Sequence, residues 1–505
     1  MNKTLAESND TSRTTRRRWM FRFAAILLGL SPWILFELVL IGLDVGRPDQ
    51  TTDPFIGFRS LRPLFQLNET DQRYEIPASR RLCFQPDSFA AKKAPHEFRV
   101  FCLGGSTVQG RPFSIETSFT AWLELSLQAA WPDRKSEVVN CGGISYASYR
   151  LVPILEEVLN YEPDLIVVYT GHNEFLEDRS YTHLKQRSPW IDASVRFASR
   201  FRTYNVVWSQ WNRWNQSTTA TENDNAEKDE SSGKPVLPTE VWGRLDGPDG
   251  LQQYHHDKEW HNDVTRHFEF NLRRMVAMCH DADVPIWFAK PVANLRNSPP
   301  FKSEHRADLR TSELKQWETL RVEATALFST NMSAAIGKLL EADKIDDQHA
   351  GLAYDLAKCY ETVRDPASAK QYYVAARDRD VCPLRMTSEL YEALDRVCAE
   401  SRVPLIDVMN TFESLSPDGI PGGFLLVDHV HPSIPGHRKI AELLMEQIQK
   451  SFDQQMTQDW QQTRDELYDE HLGALSESYY LDGQRRLEAL RAWAQGRANG
   501  VMPTE

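Results

Sequence analysis

Past residue 98 the chain alternates short, almost uniformly apolar runs with longer amphipathic ones. FRVFCL (98–103), VVNC (138–141), DLIVVYT (164–170), VPIWFA (284–289) and VPLIDV (403–408) are too short and too evenly apolar to be surface helices. Stretches with helical spacing lie between them, near 117–130, 147–160, 262–281 and 386–401. Strands apolar on both faces and separated by helices predict a parallel sheet covered on both sides. Such a sheet takes ligand at the carboxyl ends of its strands. The first three of these strands end there in Gly104-Gly105, Gly142-Gly143 and Gly171.

Other patterns flank and interrupt this core, which occupies 98–311 and 385–452. Residues 23–43 form an apolar run of about 21 residues broken by Glu37 and Pro32, enough to cross a hydrocarbon core of ~30 Å as a helix. Arg16, Arg17, Arg18 and Arg22 precede it, so the positive-inside rule keeps the 1–22 tail in the cytoplasm and places the rest beyond the membrane. The run exceeds a signal-peptide core, and no small-residue cleavage pattern follows it. Residues 45–97 show no sustained period and read as an irregular or β-rich lead-in. Residues 215–236 are polar, acidic and low in complexity, the composition of a disordered loop. Residues 312–384 are helical and rich in Ala and Leu. Within them Ala326, Ala335, Leu339 and Ala342 recur 34 residues on as Tyr360, Ala369, Tyr373 and Ala376. That is the tetratricopeptide spacing, although a plain helical hairpin also fits. Residues 453–505 form a charged helical tail.

Composition narrows the function classes. With 505 residues, 41% hydrophobic and 26% charged, the chain is neither a polytopic membrane protein nor a disordered or fibrous one. Its net charge of -13 is a sum of unlike parts. Residues 1–25 carry +4, which leaves -17 for the rest. An acidic body argues against nucleic-acid binding, which needs a basic face. The seven cysteines (83, 102, 141, 279, 359, 382 and 398) follow no CxxC or zinc spacing and settle no disulfide.

Three clusters carry chemistry. Ser106, in Leu-Gly-Gly-Ser-Thr directly after the first strand, is compatible with a nucleophile exposed at the sheet's mouth or with an anion-gripping or helix-capping serine. Asp428 and His431, in DHVHP, can supply a base and the carboxylate that orients it from one turn. The alternative for His429, His431 and His437 is a loop metal site. The Ser106 amide, Gly142 (or Gly143) after the second strand and Asn173 after the third could converge as donors to an oxyanion. Arg111, and Arg296 with Asn294, are candidates for substrate contact or for surface salt bridges.

The four blocks, G-x-S after strand one, NxG after strand two, GxNE after strand three and DxxHP near the end, resemble in order the SGNH, or GDSL-type, hydrolase family. The resemblance covers roughly residues 98–180 and 280–450. It implies a flavodoxin-like three-layer α/β/α fold, with the tetratricopeptide-like helices inserted. It implies Ser106 as nucleophile, His431 as base, Asp428 as its orienting acid, and Ser106, Gly142 and Asn173 as the oxyanion hole. One position departs from the family's pattern: Gly105 stands where the family usually has Asp. The function implied is a membrane-anchored, extracytoplasmic esterase acting on an acyl ester of a lipid or an acylated carbohydrate through an acyl-enzyme, with no cofactor or metal. Two alternatives remain: transfer of the acyl group to a carbohydrate hydroxyl, or an inactive scaffold whose helical insertion binds a protein partner.

Overall fold

In the computed structural model, residues 29, 31–43, 63–177 and 250–494 are described, with short pieces between 201 and 246. Five strands form one parallel sheet: β4 (Phe98–Gly104), β5 (Ser136–Gly142), β6 (Leu165–Tyr169), β9 (Ile286–Ala289) and β10 (Leu405–Ile406), in the order β10-β9-β6-β4-β5. Numbered along the sheet's own strands this is 2-1-3-4-5, the flavodoxin-like order, whose switch point lies between its first and third strands. Here those are β4 and β6, which pair directly from Val100↔Leu165 to Gly104↔Tyr169.

Every residue of β4 and β6 is buried, so the unbroken apolar runs reflect cover on two faces rather than alternation. After the single turn α2 (Ser106–Gln109), helices α3 (Phe119–Ala130), α12 (Ile434–Ser451) and α13 (Trp460–Ala474) cover one face. Phe98, Val100, Cys102, Trp122, Leu444, Ile448 and Tyr468 share a core there. Helices α4 (Ser148–Val158), α5 (Lys258–Asp281) and α10 (Ser388–Ser401) form a second packed group. The remaining helices of this region are α11 (Val408–Leu415), after β10, and α14 (Glu477–Ala494), in the tail.

The lead-in resolves, from residue 63, into a small antiparallel sheet: β1 (Gln66–Asn68), β2 (Arg73–Glu75) and β3 (Ser88–Ala90). It joins the core through aromatics, Phe65 and Phe89 lying edge-on to Phe101 with ring centroids 6.4 and 5.2 Å apart. The buried Arg99 reinforces the seam by donating to Ala90 O and pairing with Glu97 and Glu137.

Between β9 and β10 the chain inserts four helices, α6 (Thr311–Leu327), α7 (Met332–Ile345), α8 (Ala350–Thr362) and α9 (Pro366–Asp378). Three of the four 34-residue pairs are equivalent in burial: Ala335 and Ala369, Leu339 and Tyr373, Ala342 and Ala376 are all buried. The N-caps repeat as well, with Asn331 accepting from Ala334 N and Asp365 from Ser368 N. The fourth pair breaks, because Ala326 is exposed and Tyr360 half-buried.

The N-terminal segment and residues 180–235 form a separate unit. In it residues 31–42 are helical (α1), and Glu37, the single charge of the apolar run, accepts from Arg202 N, Thr203 N and Thr203 Oγ1. No helix among the described residues is long and apolar enough to cross a membrane. Residues 23–28 and 30 of the expected anchor lie outside the described residues, as do the 1–22 tail and most of 215–236. Within the expected acidic loop, the two-residue strands β7 (Glu227–Lys228) and β8 (Pro235–Val236) pair with one another.

Candidate active site

Strand β4 delivers Ser106 to the switch point as the first residue of α2, and β6 delivers Asn173 beside it. The two glycines before Ser106 sit in tight surroundings. A Cβ on Gly104 would overlap the Tyr169 carbonyl and the Val108 side chain, and one on Gly105 would overlap Asn173 Nδ2. At position 105 the Asn173 amide stands in the space that a side chain would take, so a larger residue there requires Asn173 to move.

Ser106 Oγ lies 2.7 Å from His431 Nε2. On the far side of the ring, His431 Nδ1 lies 2.7 Å from Asp428 Oδ2. The other oxygen, Asp428 Oδ1, accepts from the amides of Val430 and His431 at 2.9 and 2.8 Å. Burial opposes ionisation of Asp428. The imidazoles of His431 and His429, with the bonds from His431, outweigh it and hold the carboxyl well below the usual range. An ionised Asp428 fixes the proton on Nδ1 and leaves Nε2 to accept from the serine. The turn that carries the pair is closed by Val427 N bonding to His431 O and Ser433 N to Leu425 O.

Asn294, which follows β9, holds this turn against the sheet. Its backbone N donates to His429 O at 2.9 Å, and its Nδ2 to Asp428 O at 3.0 Å. Its place after a strand end was legible in the sequence. That it bonds the acid–base turn rather than substrate was not, because the contact spans 134 residues. Arg296 bonds Glu361 and Asp418. Glu174 caps α4, accepting from Ser148 N at 2.7 Å.

Two of the three expected oxyanion donors, Ser106 and Asn173, line the crevice at Ser106. Asn173 Nδ2 gives one hydrogen to Tyr146 O at 3.1 Å and has a second to give. The Ser106 amide, first in its helix, has no intrahelical acceptor. Gly142 is corrected. Its amide already donates to Asn140 Oδ1 at 2.9 Å, and its bare Cα lets the backbone of Gln109 in α2 pack against β5. The alternative, Gly143, donates to Gly104 O at 3.0 Å. Gly105, Ser106, Thr170, His172, Asn173 and Val430 line one small crevice.

The remaining histidines of the cluster have structural partners. His437 accepts from Phe119 N at 3.2 Å. His429 meets the ring of Phe301 edge-on at 5.1 Å. Burial lowers both, to about 3 and about 4 respectively. No group of three metal-ligating side chains forms among the described residues.

No family model matches the chain, and no curated protein does. The solved structures it resembles include an acetyl-xylooligosaccharide esterase from Geobacillus Stearmophilus (14% identity, covering 72% of this chain and 98% of that one, TM-score 0.32). A lipase/acylhydrolase from Enterococcus faecalis matches at 11% identity, over 70% of this chain and 96% of its own (TM-score 0.30). A GDSL-like lipase from Bacteroides thetaiotaomicron matches at 9%, over 70% and 89% (TM-score 0.28). At these values the similarity bears no weight on function. The weight falls on the site's own geometry.

Proposed function

We propose that the chain is a serine esterase of the SGNH type, acting on acyl esters through an acyl-enzyme on Ser106. The observation that carries this reading is the unbroken relay from Ser106 Oγ to His431 Nε2 and from His431 Nδ1 to Asp428 Oδ2, each link 2.7 Å long. Ser106 Oγ attacks the acyl carbonyl as its proton passes to His431 Nε2. Negative charge gathers on the carbonyl oxygen, where the Ser106 amide and Asn173 Nδ2 serve as donors. The intermediate then expels the alcohol, which takes its proton from His431, and Ser106 keeps the acyl group. A water molecule deprotonated by His431 releases the acid and restores the serine.

The test is covalent labelling. A fluorophosphonate probe should label the intact, folded protein and fail on Ser106→Ala; no labelling of the folded wild type would refute the proposal.

We further propose that residues 23–43 anchor the protein, with Arg16–Arg18 and Arg22 cytoplasmic and the Ser106 site outside. What supports this is the length of the apolar run and the basic cluster before it. Protease protection of the C-terminal region in sealed membrane preparations checks it. The insertion α6–α9 we read as a tetratricopeptide-like pair, on the matched burial and matched caps 34 residues apart. Its natural role is docking a protein partner.

A further inference from the structure

Asn294 uses every polar group it has, and two of them hold the acid–base turn. Its Nδ2 donates to Asp428 O at 3.0 Å and its backbone N to His429 O at 2.9 Å. Its Oδ1 accepts from Asn297 N at 2.8 Å, which orients the amide so that Nδ2 faces the turn. The remaining group, Asn294 O, accepts from Arg385 Nη1 at 3.0 Å, and the same nitrogen donates to Ser298 O at 2.7 Å. Arg385 thus ties together both ends of the 294–298 segment.

A guanidinium in a protein interior is costly unless its charge is paired and its hydrogens are used. Arg385 is only 2% exposed. Besides the two carbonyls it has Asp380 Oδ2 at 3.6 Å and the Phe301 ring, whose centroid lies 5.9 Å from the guanidinium carbon. Phe301 is the ring that meets His429 edge-on. Asp380 in turn accepts from Phe301 N at 2.7 Å and Lys302 N at 3.0 Å. The chain leaving the insertion is therefore fastened to the chain entering it, and every partner of the buried cation either carries Asn294, packs on the turn's His429 or anchors that packing. Arg385 does not line the Ser106 crevice. Its route to the relay runs through Asn294.

Resting on the esterase reading above, we propose that Arg385 is a positioning residue for the reaction, holding the Asp428–His431 turn in register with Ser106 by way of Asn294.

The full-length protein is assayed on p-nitrophenyl acetate, with kcat expressed per active site titrated by a fluorophosphonate. A merely structural loss lowers the number of titrated sites and leaves the turnover of each unchanged, whereas a displaced turn lowers the turnover itself. Arg385→Gln should lower kcat per site about 10²-fold, the cost of a displacement near 1 Å, with KM moving by less than about twofold. Arg385→Lys, which keeps the charge on a shorter reach, should recover part of the loss. Combined with Asn294→Ala, Arg385→Gln should lower kcat by less than it does alone, because one of the two bonds it positions is already gone. Wild-type turnover per site in Arg385→Gln, or in Arg385→Lys where the glutamine variant does not fold, overturns the proposal. So does a loss carried by KM, or the full loss repeated on top of Asn294→Ala. A folded wild type that takes no label overturns the esterase reading instead.

Discussion

At the scale of single residues, the site depends on atoms that are missing as much as on those present. A Cβ on Gly105 would fall 2.4 Å from Asn173 Nδ2. Gly105→Ala should therefore displace an oxyanion donor and lower kcat by about 10²–10³, while the thermal midpoint moves little; steady-state kinetics and calorimetry on one preparation check both halves. Asp428→Asn keeps the shape of the turn but presents a neutral amide to His431 Nδ1. The resulting wrong tautomer should lower kcat by about 10⁴, read as the loss of burst amplitude with an activated ester. Asn294→Ala tests the clamp. With Asp428 O released and the backbone bond to His429 O kept, kcat should fall more than KM rises, the pattern of a positioning residue rather than of one that binds substrate.

At the scale of elements, two pieces outside the sheet have distinguishable roles. Helix α14 in the tail holds the segment that follows the nucleophile turn. Tyr479 OH contacts Ser114 N and Thr117 Oγ1, Arg486 donates to Phe113 O, and Gly483 lies against the Phe113 ring with no room for a Cβ. Arg491 also reaches Val427 O, next to Asp428. The tail thus ties the nucleophile's loop to the acid–base turn. The insertion has its own core, centred on Trp317, Leu339, Leu352 and Leu356. Leu339→Ala should cost about 2–5 kcal/mol there. Hydrogen exchange should show that loss as faster opening of α6–α9, with the amides of β4 and β6 remaining protected.

For the whole molecule, the buried titratable groups set the acid limit. His172, His429 and His437 are lowered by burial to about 3, 4 and 3. Their unfolded forms take up protons from about pH 6.5 downward, while the folded forms do not. The stability they contribute is therefore complete above pH 6.5 and is lost as pH falls toward 3. Asp87 and Asp380, raised to about 6 by burial, act in the opposite sense. Their folded forms hold protons that the unfolded chain releases from about pH 3.9, so their contribution is full at low pH and lost as pH rises through 6. Removing one histidine should tilt this balance: His437→Gln should make the denaturation midpoint less dependent on pH between 4 and 6.5, as chemical denaturation across that range would show.

Much of this was legible along the chain. The sheet, its strand ends and the place of the insertion follow from local pattern, because short runs buried on both faces allow almost no polar residue. Ser106, Asn173, Asp428 and His431 were legible because each stands at a strand end or in a turn whose flanking glycines or proline mark it. The sequence by itself therefore determined which elements form and which residue types reach the carboxyl edge of the sheet. Only the tertiary structure decided who meets whom there. It gave the Gly142 amide to Asn140, two residues away, and it set Asn294, a candidate for substrate contact or a surface role, as the clamp of a turn 134 residues distant. The reason is physical. A hydrogen-bond donor has few bonds to give, and which acceptor takes them depends on distances between strands and loops that no periodicity along the chain encodes.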